Sequence, residues 1–560
     1  MNYLHNVWAL LLLFIILQTT LHAQNDETHR APFLYEKSHP LRETRAVWLT
    51  TIGGLDWPRI KATDDTSREQ QKQELIRILD NYKKANINTV IFQTRVRAAL
   101  LYPSQIEPWE LSLTGVAGMN PGYDPLAFCI EECHKRGMEL HAWVVCIPIG
   151  TKQRQAGYGS SSIVKKHPEL VKAVKGGEMF MIPGKPETAD YIASICKEIV
   201  ENYDVDGISL DYIRYPESIY NFSDENLYPR SSSLSKADWK RENITHIVRR
   251  VHDVVKSIKP WVKLSSSPIG KYADTRRYSA GGWNCYNGVW QDPKLWLREN
   301  LQDLLFPMMY FTGNNYYPFL FDWLENSYGH PIVPGLGIYF LDPREGRWTL
   351  NEVRAEMYTA RNSGIGGIAF YRGEFLTKNC KGIYDTTCDE FFPYPALTAR
   401  MTWMGDTISP SIPSFVKYDN GKIHWSTSHK IRTQHPHNYI LYNVYGSNVY
   451  PVDVRTPENL LATGIRDTEW ELKGRALSMR YYAVTAIDRF GNESPAAQEA
   501  KPTFELPQHI NVPRLINHDL KDDKKDATKD DKKASKDDKK PSKDSKKASS
   551  ATKTKKKKKK

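Results

Sequence analysis

The residue best placed to do chemistry in this chain is an aspartate within YDVDGISLDYIRYP, Tyr203 to Pro216. Side chains alternate along a strand, so Gly207, Ser209 and Asp211 share one face while Asp206, Ile208 and Leu210 share the other. Ile208 and Leu210 suit a face covered by helices. Gly207 and Ser209 are small enough for the tight interior of a closed sheet. Asp211 is then expected to point inward at the C-terminal end of its strand. A carboxylate there costs desolvation free energy unless it has a partner, and Arg214, Arg95 and Arg97 are the candidates to supply one. Asp206, at the other end of the strand, reads as a cap or surface partner. Cleavage of a glycosidic bond commonly uses two carboxyl groups, one as acid and one as nucleophile or base. Asp211 is the candidate nucleophile or stabilising carboxylate. Glu374 is the first candidate for the acid, with Glu107 and Glu217 as alternatives; the acid should occupy the drier place, with a raised pKa. This chemistry needs no cofactor.

Other apolar runs end in residues that suit a sugar chain, whose hydroxyls take paired hydrogen bonds and whose C–H faces stack on rings. The first run leads into Asp56 and Trp57, and the second into Arg95, Arg97 and then Glu107. His141 and Trp143 share a face of the third. His141 falls early in that run, which suits a structural histidine better than a base. The fourth supplies Tyr212 and Arg214, the sixth Tyr310, and the eighth Tyr371, Arg372 and Glu374.

Eight such runs, at 45–52, 87–95, 139–147, 205–211, 262–269, 303–311, 331–340 and 364–372, are short and rich in β-branched or aromatic residues, as buried strands are. Amphipathic segments separate them. Residues 67–85 place Leu75, Ile78, Leu79 and Tyr82 on one face, and 124–137 open with Asp-Pro and close on Gly. Residues 187–203, 236–259 and 351–364 repeat the pattern. This alternation predicts a (β/α)8 TIM barrel over residues 40–400. A doubly wound open sheet is the second choice, disfavoured because no Gly-rich phosphate turn follows the first strand. After Pro410 short alternating strands take over, with Tyr482, Val484 and Ala486 inward and Trp425 as a core residue. Over 409–505 they resemble a fibronectin type III sandwich.

The net charge of +12 does not indicate a nucleic-acid partner, because residues 521–560 hold 19 Lys and 8 Asp and so carry +11 of it. That tail (520–560) has no large apolar residue and is expected to be disordered. It reads as a solvated spacer, or as an electrostatic tether to anionic envelope components. An apolar run from Val7 to Leu17, ending in a small-residue site at Ala23, predicts a signal peptide over 1–23 and an exported, periplasmic or secreted protein. Seven cysteines in 560 residues do not form a disulfide scaffold. Cys380 and Cys388 are close enough in sequence to pair, Cys129 and Cys133 suit a core, and no metal-ligand spacing is present.

Several long motifs occur in the order found in one family. They are ETRAVWLTTIGGLDWP, NTVIFQTRVRAALLYPSQIEPW, DPLAFCIEECHKRGMELHAW, IPGKPETADYIASICKEIVENYDVDGISLDYIRYP and LSSSPIG. Over about residues 40–400 the chain resembles the glycosyl-hydrolase-like 10 family of exported bacterial barrel proteins. The resemblance implies a barrel glycosidase acting on glycans, with bacterial cell-wall strands a substrate class among relatives. In that family two adjacent aspartates commonly end the fourth strand. Here Asp211 matches the first, and Tyr212 stands at the second. The third strand of relatives often ends Asn-Pro-Tyr-Arg, where this chain has Val145-Cys146-Ile147-Pro148. The rival reading is therefore a carbohydrate-binding barrel without turnover.

Overall fold

The computed structural model describes residues 39–427 and 435–498. The expected signal peptide (1–23), the Lys-rich tail (520–560) and the last part of the β-module (499–505) lie outside the described residues. Eight parallel strands form one sheet: β1 (Thr44–Leu49), β2 (Thr89–Arg95), β3 (Glu139–Val145), β4 (Gly207–Asp211), β5 (Lys263–Ser266), β6 (Leu304–Leu305), β7 (Gly335–Leu336) and β8 (Gly367–Phe370). Their order is β7-β8-β1-β2-β3-β4-β5-β6. Parallel bridges from Leu305 to Ile332 and from Met308 to Gly335 join the two ends, so the sheet closes into a barrel.

Each strand is followed by a helix: α1 (Asp65–Lys84), α2 (Pro125–Lys135), α3 (Pro186–Asn202), α4 (Lys236–Ile258), α5 (Pro293–Arg298), α6 (Tyr317–Glu325), α7 (Leu350–Ser363) and α8 (Gly373–Thr377). Local chemistry sets their ends. Asp64 and Ser67 form a reciprocal capping box at the start of α1. Asp124 accepts from Ala127 N–H ahead of Pro125 in α2. Gly364, at φ +71°, ends α7 in the left-handed conformation that glycine adopts without strain. Leu75, Leu79 and Tyr82 of α1 are buried against the sheet, as the periodicity requires.

Two apolar layers follow from the two faces of the strands. Ile208 and Leu210 join the large cluster under the helices. Ala46, Trp48, Ile91, Trp143, Val145, Leu304, Phe306, Val333 and Ala369 form a second cluster inside the barrel. A three-stranded antiparallel sheet (Pro148–Thr151, Val171–Ala173, Glu178–Met181) interrupts the path from β3 to α3 and was not expected. All seven cysteines are free thiols, so Cys380 and Cys388 do not pair; Cys129 and Cys133 fill the core.

The C-terminal module has a three-stranded and a four-stranded antiparallel sheet. Tyr482, Val484 and Ala486 pack with Trp425 in its core. It is docked on the barrel. Arg489 donates to Asp204 (2.8 Å) and Asp206 (3.0 Å), and Arg466 donates to Asp204 (2.8 Å) and lies 2.6 Å from Nδ1 of the barrel's own His134, which in turn lies 2.8 Å from Asp206. A Cβ at Gly137 would lie 2.1 Å from the Thr463 carbonyl, so the two parts meet there backbone to backbone. Asp206 precedes β4 and Asp211 ends it, which puts the module on the barrel face opposite Asp211. Asp206 is thus no surface cap: it is largely covered by this interface, its side chain 12% exposed.

Candidate active site

The odd–even geometry of β4 decides the site. His141 of β3 lies opposite Gly207, Trp143 opposite Ser209 and Val145 opposite Asp211, and Trp143 and Val145 belong to the interior cluster. Gly207 is required here, since a Cβ would come within 2.7 Å of the His141 ring. Asp211 therefore points into the barrel at its C-terminal mouth, where barrel enzymes carry their active sites. Its carboxylate accepts from Trp143 Nε1 (3.0 Å) and from the Tyr212 backbone N–H (2.7 Å). Burial raises its pKa. The positive charge of Arg214 and these two donors pull the other way, and the charge of Glu217 adds to the rise.

Around Asp211 the structure gathers residues from four strand ends. Tyr310 after β6 stacks on Tyr371 after β8, with centroids 5.1 Å apart and planes 25° from parallel. Tyr339, beyond β7, meets both rings edge-on. Burial raises the hydroxyl pKa of Tyr310 and of Tyr371, and the negative charge of Asp211 contributes to both. Arg214 donates to Glu217 Oε1 at 2.8 Å, and its guanidinium lies 4.2 Å from the centre of the Tyr212 ring. Tyr212 has φ +49° and is 37% exposed. Tyr339 was not foreseen from sequence, although it ends the seventh apolar run and the rule applied to the other runs would have found it.

The remaining expected site residues lie elsewhere. Arg95 and Glu107 form a fully buried pair (2.8 and 2.6 Å); Arg95 also donates to Cys146 O (2.9 Å), and Tyr191 donates to Glu107 (3.1 Å). Both side chains are sealed from the barrel mouth and paired with each other, so both are structural and Glu107 is no candidate acid. Trp57 is sealed in the core, its indole donating to Gln71 O. His141 is buried deep in the barrel beside Glu139 (3.3 Å), below the mouth. Asp56 is buried and accepts from Thr50 N–H (2.7 Å), Glu374 N–H (3.0 Å) and Arg372. Glu374 pairs with Arg372 (2.8 Å), Arg59 (2.7 Å) and Lys378, in a cleft shared with Arg77 and Asn81 of α1. Burial would raise its pKa, but Lys378 and Arg372 outweigh it and hold the carboxyl below its usual range. That is the opposite of what a proton donor needs, so the structure corrects Glu374 as the acid. Arg97 stays at the rim, 38% exposed, with Glu178 3.9 Å away. Asp211, Trp143, Tyr212, Arg214, Tyr310 and Tyr371 are brought together; Glu217 is the carboxylate that joins them.

The arrangement offers one oriented, buried carboxylate, a second carboxylate paired with an arginine whose charge also acts on the first, and flat aromatic faces on a common rim. The family model for glycosyl hydrolase-like 10 matches residues 43–327. Glycosyl hydrolase YngK of Bacillus subtilis is 32% identical over 482 residues, covering 82% of this chain and 93% of that protein. Glycosyl hydrolase DigH of Escherichia coli is 34% identical over 296 residues, covering 49% and 66% respectively. Among solved structures, the PgaB glycoside hydrolase domain of Bordetella bronchiseptica overlaps 62% of this chain and 98% of its own, with a TM-score of 0.43 and 13% identity. On the family match and the near-full-length similarity to YngK, the chain belongs to the glycosyl hydrolase-like 10 family.

Proposed function

We propose that the protein is a glycoside hydrolase that cleaves O-glycosidic bonds of a glycan, with bacterial cell-wall strands as the leading class. Family membership supports the reaction type, and one observation carries it to a residue: Asp211 is an inward carboxylate at the barrel mouth, held by two N–H donors. Those donors favour the charged form and fix the carboxylate in one orientation. An oxocarbenium-like transition state would be met there by preplaced negative charge. Glu217, paired with Arg214 at 2.8 Å and the other carboxylate whose charge acts on Asp211, is the candidate for the second carboxyl role. The stacked Tyr310–Tyr371 pair offers apolar surface to a sugar ring.

The test is release of reducing ends from peptide-stripped peptidoglycan and from a panel of polysaccharides. Asp211→Asn should lower kcat by about 10³-fold or more, in the range of positioned acid–base groups, and Glu217→Gln by a comparable factor. Glu374→Gln should change kcat less than about threefold, since that carboxylate is held by three cations. Binding without cleavage by the wild type would instead establish a lectin-like barrel, the reading that Tyr212 in place of a second aspartate favours. We place the protein outside the cytoplasm and read the Lys-rich tail as a tether to anionic envelope polymer, each Lys worth up to about 1 kcal/mol near such a surface. Salt should elute the full chain, and not a chain ending at residue 519, from isolated envelopes.

A further inference from the structure

Arg214 is 96% buried by residue exposure, yet its only hydrogen bond is the one from Nη2 to Glu217 Oε1. Its Nε and Nη1 are buried without a partner. Leaving such donors unsatisfied costs about 1–3 kcal/mol each or more for a charged group. Other buried arginines of this protein are treated differently. Arg95 spends its donors on both oxygens of Glu107 and on two carbonyls, and Arg489 on two aspartates and the His437 carbonyl. Among the described residues, Arg214 alone among arginines has two buried nitrogens without a partner. It sits beside the carboxylate of the proposed active site, where its charge is the largest opposing influence on Asp211.

What closes Arg214 off is Tyr212. That ring covers the guanidinium face at 4.2 Å, in a left-handed backbone conformation that a bulky residue adopts only at a cost. Arg97 stands at the rim, with Glu178 3.9 Å away as its ion-pair partner. The charges of Arg214 and Arg97 both act on the Tyr212 hydroxyl. One cation is thus exposed and loosely paired, and a second lies behind an aromatic cover with donors to spare.

We propose that Arg214 is a specificity-determining residue that selects a carboxylate carried by the glycan next to the bond at Asp211, with Arg97 drawing that group in past Tyr212. This rests on the reading of the mouth as a glycan site. A planar carboxylate matches the guanidinium donors. A doubly charged phosphate would meet more repulsion from Asp211 and Glu217 than a singly charged group. The sugar carboxylate has two sources, the lactyl ether of a peptide-stripped muramic-acid glycan and the ring carboxylate of a uronic-acid glycan.

The experiment uses oligomers of both kinds, each beside its counterpart with carboxyls reduced to alcohols. Dissociation constants, read by tryptophan fluorescence, and kcat/KM are measured for the full-length wild type and for Arg214→Lys, Arg214→Gln and Arg97→Gln. The wild type should bind one carboxylate oligomer at least tenfold more tightly than its reduced form. Arg214→Gln should erase that ratio, binding the carboxylate oligomer and its reduced form equally. Arg214→Lys should keep part of the ratio, and Arg97→Gln should reduce it a few-fold and weaken its salt dependence. Equal affinity of the wild type for charged and reduced forms of both oligomers overturns the proposal. So does an Arg214→Lys protein with wild-type unfolding midpoint and an unchanged ratio. Preference in binding with no cleavage of any oligomer would sink the hydrolase reading and leave the role of Arg214 standing.

Discussion

Replace Arg489 with methionine, and two largely covered carboxylates on the barrel each lose a charged donor from the β-module. Arg489 donates to Asp204 at 2.8 Å and to Asp206 at 3.0 Å, and its side chain is almost wholly buried. Breaking a buried pair by truncating one partner costs about 3–5 kcal/mol when the remaining charge is left alone. Here neither aspartate is left alone. Asp204 keeps Arg466 and the Tyr439 hydroxyl (2.8 Å each), and Asp206 keeps His134 and the Leu140 N–H (2.8 Å each). The expected loss is therefore reduced to about 2–4 kcal/mol. Methionine retains apolar contact with the Tyr439 ring, so packing contributes little of it. Urea unfolding at pH 7 reads the loss as a lower midpoint. The sign of its pH dependence is fixed. Burial alone would raise the pKa of Asp204, but Arg489 and Arg466 outweigh it and hold the carboxyl well below its usual range; Asp206 is likewise lowered against burial, by His134 and then Arg489. Groups depressed in the folded state contribute stability that is present above the unfolded value, near 3.9, and is lost as pH falls through the folded one. The gap between wild type and variant should hold at pH 6–7 and close progressively below about pH 4. An unchanged midpoint at pH 7, or a gap as wide at pH 2 as at pH 7, would refute the clamp.

Three further outcomes follow from the same contacts. Glu107→Gln leaves Arg95 buried without its counter-charge and should lower stability by about 3–5 kcal/mol, read by thermal unfolding, with KM for any cleaved glycan unchanged. Gly137→Ala adds a methyl 2.1 Å from the Thr463 carbonyl at φ +65°; it should cost more than about 1 kcal/mol and speed proteolysis between barrel and module. Trp143→Phe removes the 3.0 Å donor to Asp211. Since that bond favours the carboxylate, the pKa of Asp211 should rise further, and the acidic limb of the pH–rate profile should move to higher pH.

The barrel was legible because its signals are local. Eight short apolar runs are interleaved with amphipathic segments, five of them clear at period 3.6, and caps such as Asp124-Pro125 lie within one turn of the ends they set. Asp211 was legible for the same reason: the side of a strand is set by parity, and Gly207 and Ser209 marked the crowded side. The rim was less so. Asp56, Trp57, Arg95 and Glu107 have the residue types of a sugar site, but whether such groups face the mouth or lie sealed beneath it depends on how the loops after β1 and β2 fold back. Nothing within a few residues encodes that. Glu374 differs: Arg372 and Lys378, the two cations that lower its pKa, lie within four residues and were readable, and only Arg59 comes from 315 residues away.

By itself the sequence determined the closed parallel barrel, the strand that carries the carboxylate, and the direction in which that carboxylate points. Those are consequences of side-chain periodicity along neighbouring residues. Only the tertiary structure decided which carboxylate stands near Asp211, which arginines are already satisfied and which are not, and that Asp204 and Asp206 hold the module to the far face. Some of these partnerships span hundreds of residues, as Arg489 with Asp204 does, and others are close in sequence but set by how a loop folds, as Arg214 with Glu217 is; burial makes each one strong enough to assign a role.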